Sequence, residues 1–477
     1  MARAGQDRRR GAGGGVALDL EQDREEEGET RERHDVSWAD IRPVGRIGGS
    51  LRVGERRGPH PTSVAIHRRG PRAAFPPRSR GAESCDARRA PSLRPAVDAE
   101  PPASGPLSPP LVRATTFGQP DRQAQLRAAV AFDGRFYPRY GHEIGRRCEG
   151  AIAALERAEG SLLFASGMAA LTAVFLGLLR AGDRVAVAHA VYGGTALLAD
   201  ELLPRVGIEV LRFDPFDPDA LAGVLAGRPR LVHVESPVNP TLRVLDLAAL
   251  ARAIHAAGAL LSVDATFVPP PFQRPLALGV DVVVHSATKA LGGHSDVLAG
   301  VVSGRDAELR AVERHRRLGG AVLGQDAAWL LHRSLATLEM RFERQSRSAT
   351  TICRVLAAIR DELGIERLWH PSLPEHPDRA LVDATLAAPG GVLSVEPRGG
   401  LARAAAVYDR LRRFHRSPSL AGTESLVCLP IDTSHAGWSE ARLEAAGFGA
   451  GLLRLSAGLE DPEALADDLV QALSATI

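Results

Sequence analysis

The chain has 477 residues, of which 44% are hydrophobic and 24% are charged, and its formal net charge is +2. Such a composition is typical of globular proteins, and the length allows two or three domains. The near-neutral charge gives no indication of a nucleic-acid or membrane partner. No stretch approaches the roughly 20 apolar residues that a membrane helix needs. We therefore expect neither class of partner.

The start of the chain, MARAGQDRRRGAGGG, lacks the apolar core of a secretory signal. The four cysteines, Cys85, Cys148, Cys353 and Cys428, lie far apart and form no C-x-x-C pair. This spacing indicates neither a disulfide framework nor a zinc site. We expect no bound metal and a location in the reducing cytoplasm.

Residues 1–94 differ from the rest because they are rich in Arg, Gly and Pro and contain an acidic run at Glu25–Glu27. They show no sustained strand or helix period. We interpret them as a mostly disordered extension. The alternatives are a basic arm for nucleic acid, although aromatic interleaving is missing, a targeting segment, or a start codon assigned too far upstream.

Residues 155–340 alternate short apolar runs with helical stretches, which predicts a largely parallel sheet covered on both faces. The predicted strands are Ser161–Ser166, Arg184–His189, Glu209–Asp214, Leu231–Ser236, Leu260–Ala265, Val280–Ala287 and Leu298–Ser303. The helical stretches between them include Met168–Arg180, Thr195–Val206 and Asp246–Ala257. Ligands bind beyond the carboxyl ends of the strands in such sheets. Functional residues are therefore expected just after strands.

Residues 341–477 predict a smaller α+β domain. Its elements are a helical run at Met340–Leu363, a helix at Leu401–Phe414, a strand at Leu452–Ser456 and a last helix from Pro462. We find no internal repeat. The fold class predicted for the whole chain is α/β.

Lys289 is the single lysine among 59 basic Lys and Arg residues. Arginine stays charged in proteins, whereas lysine can lose its proton when it is desolvated. Lys289 follows a predicted strand in VDVVVHSATKALGGHSDVLAG, with Ser286 and Thr288 beside it. A lysine amine condenses with aldehydes, and neighbouring hydroxyls suit a phosphate. We predict that Lys289 holds pyridoxal phosphate as a Schiff base.

Asp264 lies at the end of another predicted strand, in LLSVDATF, 25 residues before the lysine. A carboxylate there can pair with a protonated pyridine nitrogen, which keeps the ring an electron sink for a carbanion. The alternative is a helix cap or a surface group. The combination with Lys289 favours the cofactor interpretation.

Three further segments place polar groups after strands. Gly167 and Met168, in FASGMAA, leave N–H groups free at a helix start for a phosphate, or form a simple tight turn. Tyr192, in HAVYGGT, can stack on an aromatic ring or belong to the core. Glu235 and Asn239 occupy the loop of LVHVESPVNPTL, where Asn239 either bonds a ring hydroxyl or serves the turn.

Arg454 lies in the apolar strand pattern of GLLRLSAG. A buried guanidinium needs a hydrogen-bonding anion, and the carboxylate of a substrate binds it in a bidentate way. We predict that Arg454 binds the substrate carboxylate.

The segments ASGMAA, YGGT, ESPVNPT, VDATF, HSATKALGGHSDVLAG and LLRLSAGLEDPE follow one another in this order. Together they resemble the Cys/Met-metabolism (trans-sulfuration) enzymes that depend on pyridoxal phosphate. That family includes cystathionine γ-synthase, cystathionine γ- and β-lyases, methionine γ-lyase and homoserine-ester sulfhydrylases. The resemblance runs from about Gly105 to the C-terminus.

The resemblance implies the type I fold of PLP-dependent transferases, with a mostly parallel seven-stranded sheet in a large domain and a smaller C-terminal α+β domain. It implies a homotetramer of two tight dimers and small amino-acid substrates. Residues 95–154 would form an arm that reaches a neighbouring subunit. There Tyr137 and Arg139, in FYPRYGHE, would meet the neighbour's phosphate site.

The resemblance also implies roles inside the site. Lys289 would be the Schiff-base lysine and catalytic acid and base, and Asp264 would pair with the pyridine nitrogen. Tyr192 would stack on the ring and take part in catalysis, and Asn239 would meet the phenolic oxygen. The other implied cofactor contacts are Gly167, Met168, Thr266, Ser286 and Thr288. The implied substrate contacts are Arg454, Ser419 and Glu235.

Three departures from the family pattern bear on function. The usual Asn-Pro-Thr after the arm motif is His142, Glu143 and Ile144 here. Gly194 stands where methionine γ-lyases have cysteine, which argues against that activity. Pro418 stands where γ-lyases commonly carry glutamate, and SPSLAGTESL is similar to a stretch of some cystathionine γ-synthases.

The expected activity is γ-replacement or γ-elimination on sulfur amino acids or O-acylhomoserine, of the cystathionine γ-synthase or γ-lyase type. The alternatives are a cystathionine or cysteine β-lyase, a homoserine-ester sulfhydrylase and, more distantly, a non-catalytic regulator that binds pyridoxal phosphate.

Overall fold

The computed structural model of the chain describes residues 106–477. The predicted extension at 1–94, and residues 95–105 of the predicted arm, lie outside this range. No helix within it combines the length and apolarity that crossing a bilayer requires.

A seven-stranded sheet forms the centre of the first half of this range. Its strands are β1 Gly160–Phe164, β2 Arg184–Ala188, β3 Glu209–Phe213, β4 Leu231–Glu235, β5 Leu260–Asp264, β6 Val282–His285 and β7 Gly300–Gly304. The order across the sheet is β1-β7-β6-β5-β4-β2-β3. Only β7 runs antiparallel to its neighbours in this sheet. The predicted mostly parallel seven-stranded sheet is confirmed.

Helices cover both faces of this sheet, which explains why its central strands are continuously apolar. The helices of this part of the chain, not all of which pack on the sheet, are α1 Arg122–Val130, α2 Glu143–Glu156, α3 Gly167–Leu178, α4 Gly193–Leu197, α5 Pro218–Ala226, α6 Leu247–Ala256, α7 Asp306–Gly319, α8 Gln325–Leu335 and α9 Leu338–Ala358. One core cluster contains Phe175, Ile254 and Val283, and a second contains Ile152 and Leu331.

A second, five-stranded sheet lies in the C-terminal part. Its strands are β8 Ile365–Trp369, β9 Val392–Pro397, β10 His415–Arg416, β11 Leu426–Cys428 and β12 Leu453–Ser456, in the order β10-β11-β12-β9-β8. The remaining helices are α10 Arg379–Thr385, α11 Gly400–Arg410, α12 Glu440–Ala445 and α13 Pro462–Ser474. The predicted smaller α+β part is present. The exact boundaries at 155 and 340 stay predictions.

Several predicted elements differ from the structure in their bounds, and two of them bear on the site. The helix predicted at Thr195–Val206 is α4 followed by a π-helical turn at Leu198–Leu202 and a 3-10 turn at Pro204–Val206. Pro204 cannot donate a helical hydrogen bond, so the regular helix does not continue through it. The strand predicted to run to Ala287 ends at His285, which leaves Ser286 in the turn before Lys289.

His142, the first of the three residues that replace the usual Asn-Pro-Thr of the family, has a structural role at the start of α2. The His142 Nδ1 accepts a hydrogen bond from the Gly145 N–H at 3.0 Å, and its Nε2 lies 2.9 Å from the Leu323 carbonyl oxygen. An imidazole therefore caps this helix and ties it to the segment before α8.

Candidate active site

A cavity of about 600 Å³ opens at the carboxyl ends of the parallel strands, where ligands bind in sheets of this type. Most of the site residues predicted from the sequence line it. They are Gly167, Met168, Tyr192, Glu235, Asn239, Asp264, Thr266, Ser286, Thr288, Lys289, Ser419 and Arg454. Tyr137 and Arg139 do not line it.

Lys289 lies in the turn after β6 with its amine inside the cavity wall. The Lys289 Nζ donates a hydrogen bond to Ser419 Oγ at 2.8 Å. Burial first, and then the positive charge of Arg454, lower the pKa of Lys289 to about 8. A large fraction of this amine is thus neutral, and nucleophilic, at mildly alkaline pH.

Asp264 ends β5 and is 7% exposed. Its Oδ1 accepts hydrogen bonds from the Thr266 N–H at 3.0 Å and from Thr266 Oγ1 at 2.6 Å. Burial raises the pKa of Asp264, whereas the Thr266 hydrogen bonds and the charge of His285 lower it. Its Oδ2 accepts no hydrogen bond within residues 106–477. One oxygen of a cavity-lining carboxylate is therefore open to a ligand.

Thr266 also bonds to the turn before the lysine, because its Oγ1 accepts a hydrogen bond from the Ser286 N–H at 2.8 Å. It thus connects the Asp264 carboxylate to the Lys289 segment. Thr266 therefore positions these two groups. The direct contact with a cofactor that the resemblance implies for Thr266 stays a prediction.

Glu235 ends β4 and has both carboxylate oxygens engaged by the backbone. Its Oε2 accepts a hydrogen bond from the Tyr192 N–H at 2.7 Å, and its Oε1 accepts one from the Asn239 N–H at 3.2 Å. Burial first, and then the charge of Asp264, raise its pKa well above the usual range. In this structure Glu235 orients Tyr192 and Asn239, a role that sequence reasoning missed. Its implied substrate contact stays a prediction.

Arg454 lies on β12 and is 4% exposed. Its Nη1 donates to Asn239 Oδ1 at 3.2 Å, and its Nη2 donates to the carbonyl oxygens of Pro418 and Ser419 at 2.7 and 3.1 Å. A guanidinium has five N–H donors, so these three bonds leave donors for an anion. Because the Asn239 amide oxygen accepts the bond from Arg454, the amide NH₂ group of Asn239 is the end left for a ligand.

The start of α3 closely approaches the turn that carries Ser286. A Cβ placed on Gly167 would lie 3.0 Å from Ser286 Cβ, so a side chain there would crowd this corner. Ser166 caps the helix, because its Oγ accepts a hydrogen bond from the Ala169 N–H at 3.1 Å. The N–H groups of Gly167 and Met168 belong to the first turn, where helical donors have no intrahelical acceptor. Together these groups form a corner that suits an anion.

Thr288 differs from the expectation for a phosphate contact. Its hydroxyl donates to the Ala299 carbonyl oxygen at 3.1 Å and accepts the Ala299 N–H at 2.9 Å. Both bonds close the Gly-rich loop after Lys289. The side chain of Thr288 therefore holds this loop, and its implied phosphate contact stays a prediction.

Tyr192 precedes α4 and is 44% exposed, with its ring at the cavity. A Cβ on Gly194 would lie 2.6 Å from Tyr192 Cε1 and 3.0 Å from Met168 Sδ. The ring thus occupies space that is open only because residue 194 has no side chain. Gly194, which stands where methionine γ-lyases have cysteine, thus allows the Tyr192 ring to take this position.

Tyr137 and Arg139 flank a 3-10 turn at Pro138–Tyr140, away from the cavity of their own chain. The Arg139 Nη1 donates to the Arg317 carbonyl oxygen at 2.9 Å, and its guanidinium lies 4.9 Å from the centre of the Tyr140 ring. Tyr137 is 45% exposed. Within one chain, the arm pair is separate from Lys289.

Sequence reasoning missed the loop of the C-terminal part that lines the cavity, formed by Asp432, Thr433 and Ser434. A Cβ on Gly193 would lie 2.0 Å from the Ser434 carbonyl oxygen, so this loop packs tightly against the Tyr192 turn. The loop has no strand or helix period that would have indicated its place.

Comparison with known proteins agrees with this geometry. Residues 95–474 match the family model described as Cys/Met metabolism PLP-dependent enzyme. The chain belongs to this family. It is therefore a PLP-dependent enzyme of Cys/Met metabolism, and its cofactor is pyridoxal 5'-phosphate, as the sequence predicted.

Its relatives carry several different activities. It is 36% identical to an L-methionine gamma-lyase of Pseudomonas deceptionensis, across 78% of this chain and 94% of the relative. It is 38% identical to an O-succinylhomoserine sulfhydrylase of Pseudomonas aeruginosa, across 74% of this chain and 87% of the relative. Because these identities are nearly equal, overall similarity does not select one activity.

The fold also resembles that of a solved relative. A cystathionine gamma synthase from Xanthomonas oryzae pv. oryzae, crystallised with aminoacrylate and cysteine, superposes with a TM-score of 0.74 at 34% identity. The match covers 82% of this chain and all of that one. The likeness confirms the predicted fold class.

The lowered pKa of Lys289 predicts when its amine reacts. In the cofactor-free protein, the rate of amine acylation at Lys289 should rise with pH through a midpoint near 8, because burial and Arg454 both disfavour the ammonium form. Mass spectrometry can follow this peptide without ambiguity, since no other lysine exists. The unfolded chain, as control, should show the ordinary midpoint of about 10.4. An equally high midpoint in the folded protein would contradict the assignment.

The close approach of Tyr192 to Gly194 predicts that adding one methyl group at residue 194 lowers activity strongly. Gly194→Ala should displace the Tyr192 ring and lower kcat/KM at least about tenfold, roughly 1.4 kcal/mol of transition-state stabilisation. Gly223→Ala is the matched control, since a Cβ there meets no atom within 4 Å. Unchanged kinetics in Gly194→Ala, with a folded protein, would show that the ring position is unimportant.

Proposed function

We propose that the chain catalyses γ-replacement or γ-elimination of the cystathionine γ-synthase or cystathionine γ-lyase type, on sulfur amino acids or on an O-acylhomoserine. The observation that carries the proposal is the Lys289 amine, which has a pKa of about 8 and lies 2.8 Å from Ser419 Oγ in a cavity shared with Asp264 and Arg454. The chemistry requires one amine that can both take and return a proton, and Lys289 meets that requirement.

The cavity suits pyridoxal phosphate, which supplies, when bound, an electron sink for negative charge at the substrate α-carbon. The open Oδ2 of Asp264 is suited to the pyridine nitrogen, and the free amide NH₂ of Asn239 to the phenolic oxygen. Gly167, Met168 and Ser286 form the corner suited to the phosphate. Tyr192 is the aromatic ring available for stacking.

Substrate binding is proposed for the C-terminal part. Arg454 binds the α-carboxylate with the N–H donors that its three internal bonds leave over. Ser419 holds the Lys289 amine before reaction and releases it when the amine moves toward the substrate. Lys289 then takes the α-proton and carries protons between the α- and β-carbons, so that the γ-substituent leaves.

We further propose that the active form is a homotetramer in which Tyr137 and Arg139 complete the neighbour's phosphate site. Their distance from their own cavity supports this assignment, as do exposed apolar side chains on the same arm. These side chains are Leu126, Val130 and Phe132, which are 55%, 71% and 48% exposed. A cytoplasmic location stays a prediction from the sequence.

A paired assay separates the activities. The loaded enzyme should either release cysteine, 2-oxobutyrate and ammonia from cystathionine, or form cystathionine from cysteine and O-succinylhomoserine. Lys289→Ala should lose at least about 10²–10⁴-fold in either reaction, because the proton-transferring amine is gone.

Other results of the same assay would contradict the proposal. Pyruvate and homocysteine as sole products would indicate a β-lyase. Homocysteine from sulfide and O-succinylhomoserine, without cystathionine chemistry, would indicate a sulfhydrylase. Bound cofactor without turnover of any sulfur amino acid would indicate a non-catalytic regulator that binds pyridoxal phosphate.

A further inference from the structure

A second cavity, which we call the edge cavity, is lined both by the edge of the large sheet and by the C-terminal part. Its volume is about 760 Å³, and it shares no lining residue with the cavity that holds Lys289. Arg212, on the edge strand β3, and Arg243, in the loop after β4, line it from the large sheet. Trp369, the last residue of β8, and Arg442, on α12, line it from the C-terminal part. The chemistry described above uses none of these four residues.

Arg212 brings a largely buried guanidinium to the edge cavity. Its side chain is 17% exposed, and within residues 106–477 neither its Nη1 nor its Nη2 has a hydrogen-bond partner. The Asp200 Oδ1 lies 4.0 Å from the Arg212 Nε, which is beyond hydrogen-bond distance. Burying a charge without partners costs free energy, so such a group calls for a partner from outside the chain.

Arg442 brings a second guanidinium to the same cavity. The centre of this guanidinium lies 4.0 Å from the centre of the Trp438 ring, and stacking of this kind holds the group in place while its N–H edge stays available. Burial lowers the pKa of Arg212, the charge of Asp200 raises it, and the charge of Arg442 lowers it again. The two guanidiniums are therefore close enough to repel each other, and an anion bound to both would remove that repulsion.

The acidic side chains at the edge cavity leave these two guanidiniums without a close partner. Asp378 pairs with the third arginine, Arg243, through contacts of 2.6 and 2.9 Å. Asp200 is 45% exposed, and Asp214 is exposed and accepts a backbone N–H at 2.9 Å. Among the described residues, no carboxylate lies within hydrogen-bond distance of the two unpaired arginines. The missing partner is an anion.

Aromatic rings form part of the remaining wall. Phe216, Trp369 and Trp438 are three of the 15 lining residues, whereas aromatic residues make up 4% of the chain. All three are half-buried. Small-molecule sites combine such apolar walls with a few polar groups that fix the orientation of the ligand. A ligand with both a flat ring and an anionic group matches this lining.

We propose that the edge cavity binds a small organic anion composed of a flat aromatic ring and a phosphate group. The phosphate accepts hydrogen bonds from Arg212 and Arg442, since its several oxygens can bind two guanidiniums at once. The ring packs against Trp369 and Trp438. This site is separate from the catalytic one and does not depend on which reaction the enzyme catalyses.

Calorimetric titration of the enzyme loaded with pyridoxal phosphate tests the site, because the catalytic cavity is then occupied. The first probe is adenosine 5'-monophosphate, and adenosine and inorganic phosphate each lack one of its two parts. The nucleotide should bind once per chain and at least about tenfold more tightly than either part. Pyridoxine 5'-phosphate, which has the same chemistry but no aldehyde to condense with Lys289, is the second probe and distinguishes a nucleotide ligand from a cofactor-like one.

Two substitutions assign the binding to the edge cavity. Arg212→Met and Arg442→Gln should each weaken binding of the tighter probe at least about tenfold, because each removes charge-assisted hydrogen bonds to the phosphate. The matched control is Arg354→Gln. Arg354 is an exposed arginine of α9 that does not line the cavity, so its loss should leave the dissociation constant unchanged.

Thermal unfolding without ligand separates binding from a structural role. Arg212→Met should keep or raise the midpoint, because it removes a buried charge that has no close partner. Arg341 gives the contrast, since it is 5% exposed and donates to the Ala290 and Ser334 carbonyl oxygens at 3.0 and 2.9 Å. Arg341→Met should therefore lower the midpoint by at least about 2 °C. An equal fall in Arg212→Met would show that Arg212 is structural and would overturn the inference.

Two binding results would also overturn it. One is a dissociation constant above about 1 mM for both probes, which would leave a cavity filled by water. The other is binding that Arg442→Gln does not weaken. Arg442 is exposed, so this variant tests the site whatever Arg212→Met does to folding. Failure of the proposed function has a different outcome, which is absent turnover of sulfur amino acids by the loaded enzyme.

Discussion

The site depends on one constraint, which is that the Lys289 amine is half-buried in the cavity that it shares with the Arg454 guanidinium. Burial disfavours the charged ammonium form, and repulsion by the Arg454 charge adds to this effect, so the pKa of Lys289 falls to about 8. Arginine cannot make this adjustment, because it stays charged in proteins. In a chain whose other basic side chains are arginine or histidine, Lys289 alone supplies a neutral alkyl amine.

Other contacts maintain this arrangement. Arg454 is held by Asn239 and by two carbonyl oxygens, so its charge stays at a fixed place beside the amine. Glu235 in turn holds the backbone of Asn239 and Tyr192 through its two oxygens. A continuous hydrogen-bonded network thus runs from β4 of the large sheet to β12 of the small one. Each sheet contributes one end of the site.

Much of this could be predicted from the sequence, because alternating apolar runs and helices place polar residues at strand ends. Lys289 and Asp264 are predicted that way, and both line the cavity. The orientation of a side chain could not be predicted. The polar atoms of Glu235 and Thr288 bond the backbone, and the ligand contacts expected of these residues stay predictions. The Asp432–Ser434 loop enters the cavity through tertiary packing against Gly193, which no local pattern encodes. The arm residues Tyr137 and Arg139 would need a second subunit to meet a site.

The most direct measurement of the central claim is borohydride reduction of the protein loaded with pyridoxal phosphate, followed by peptide mass spectrometry. The account predicts that one phosphopyridoxyl group becomes fixed to the peptide that contains Lys289. The α-amino group of the chain is the other aliphatic amine and should stay unmodified. A fixed group at the N-terminus, or none on Lys289, would contradict the account.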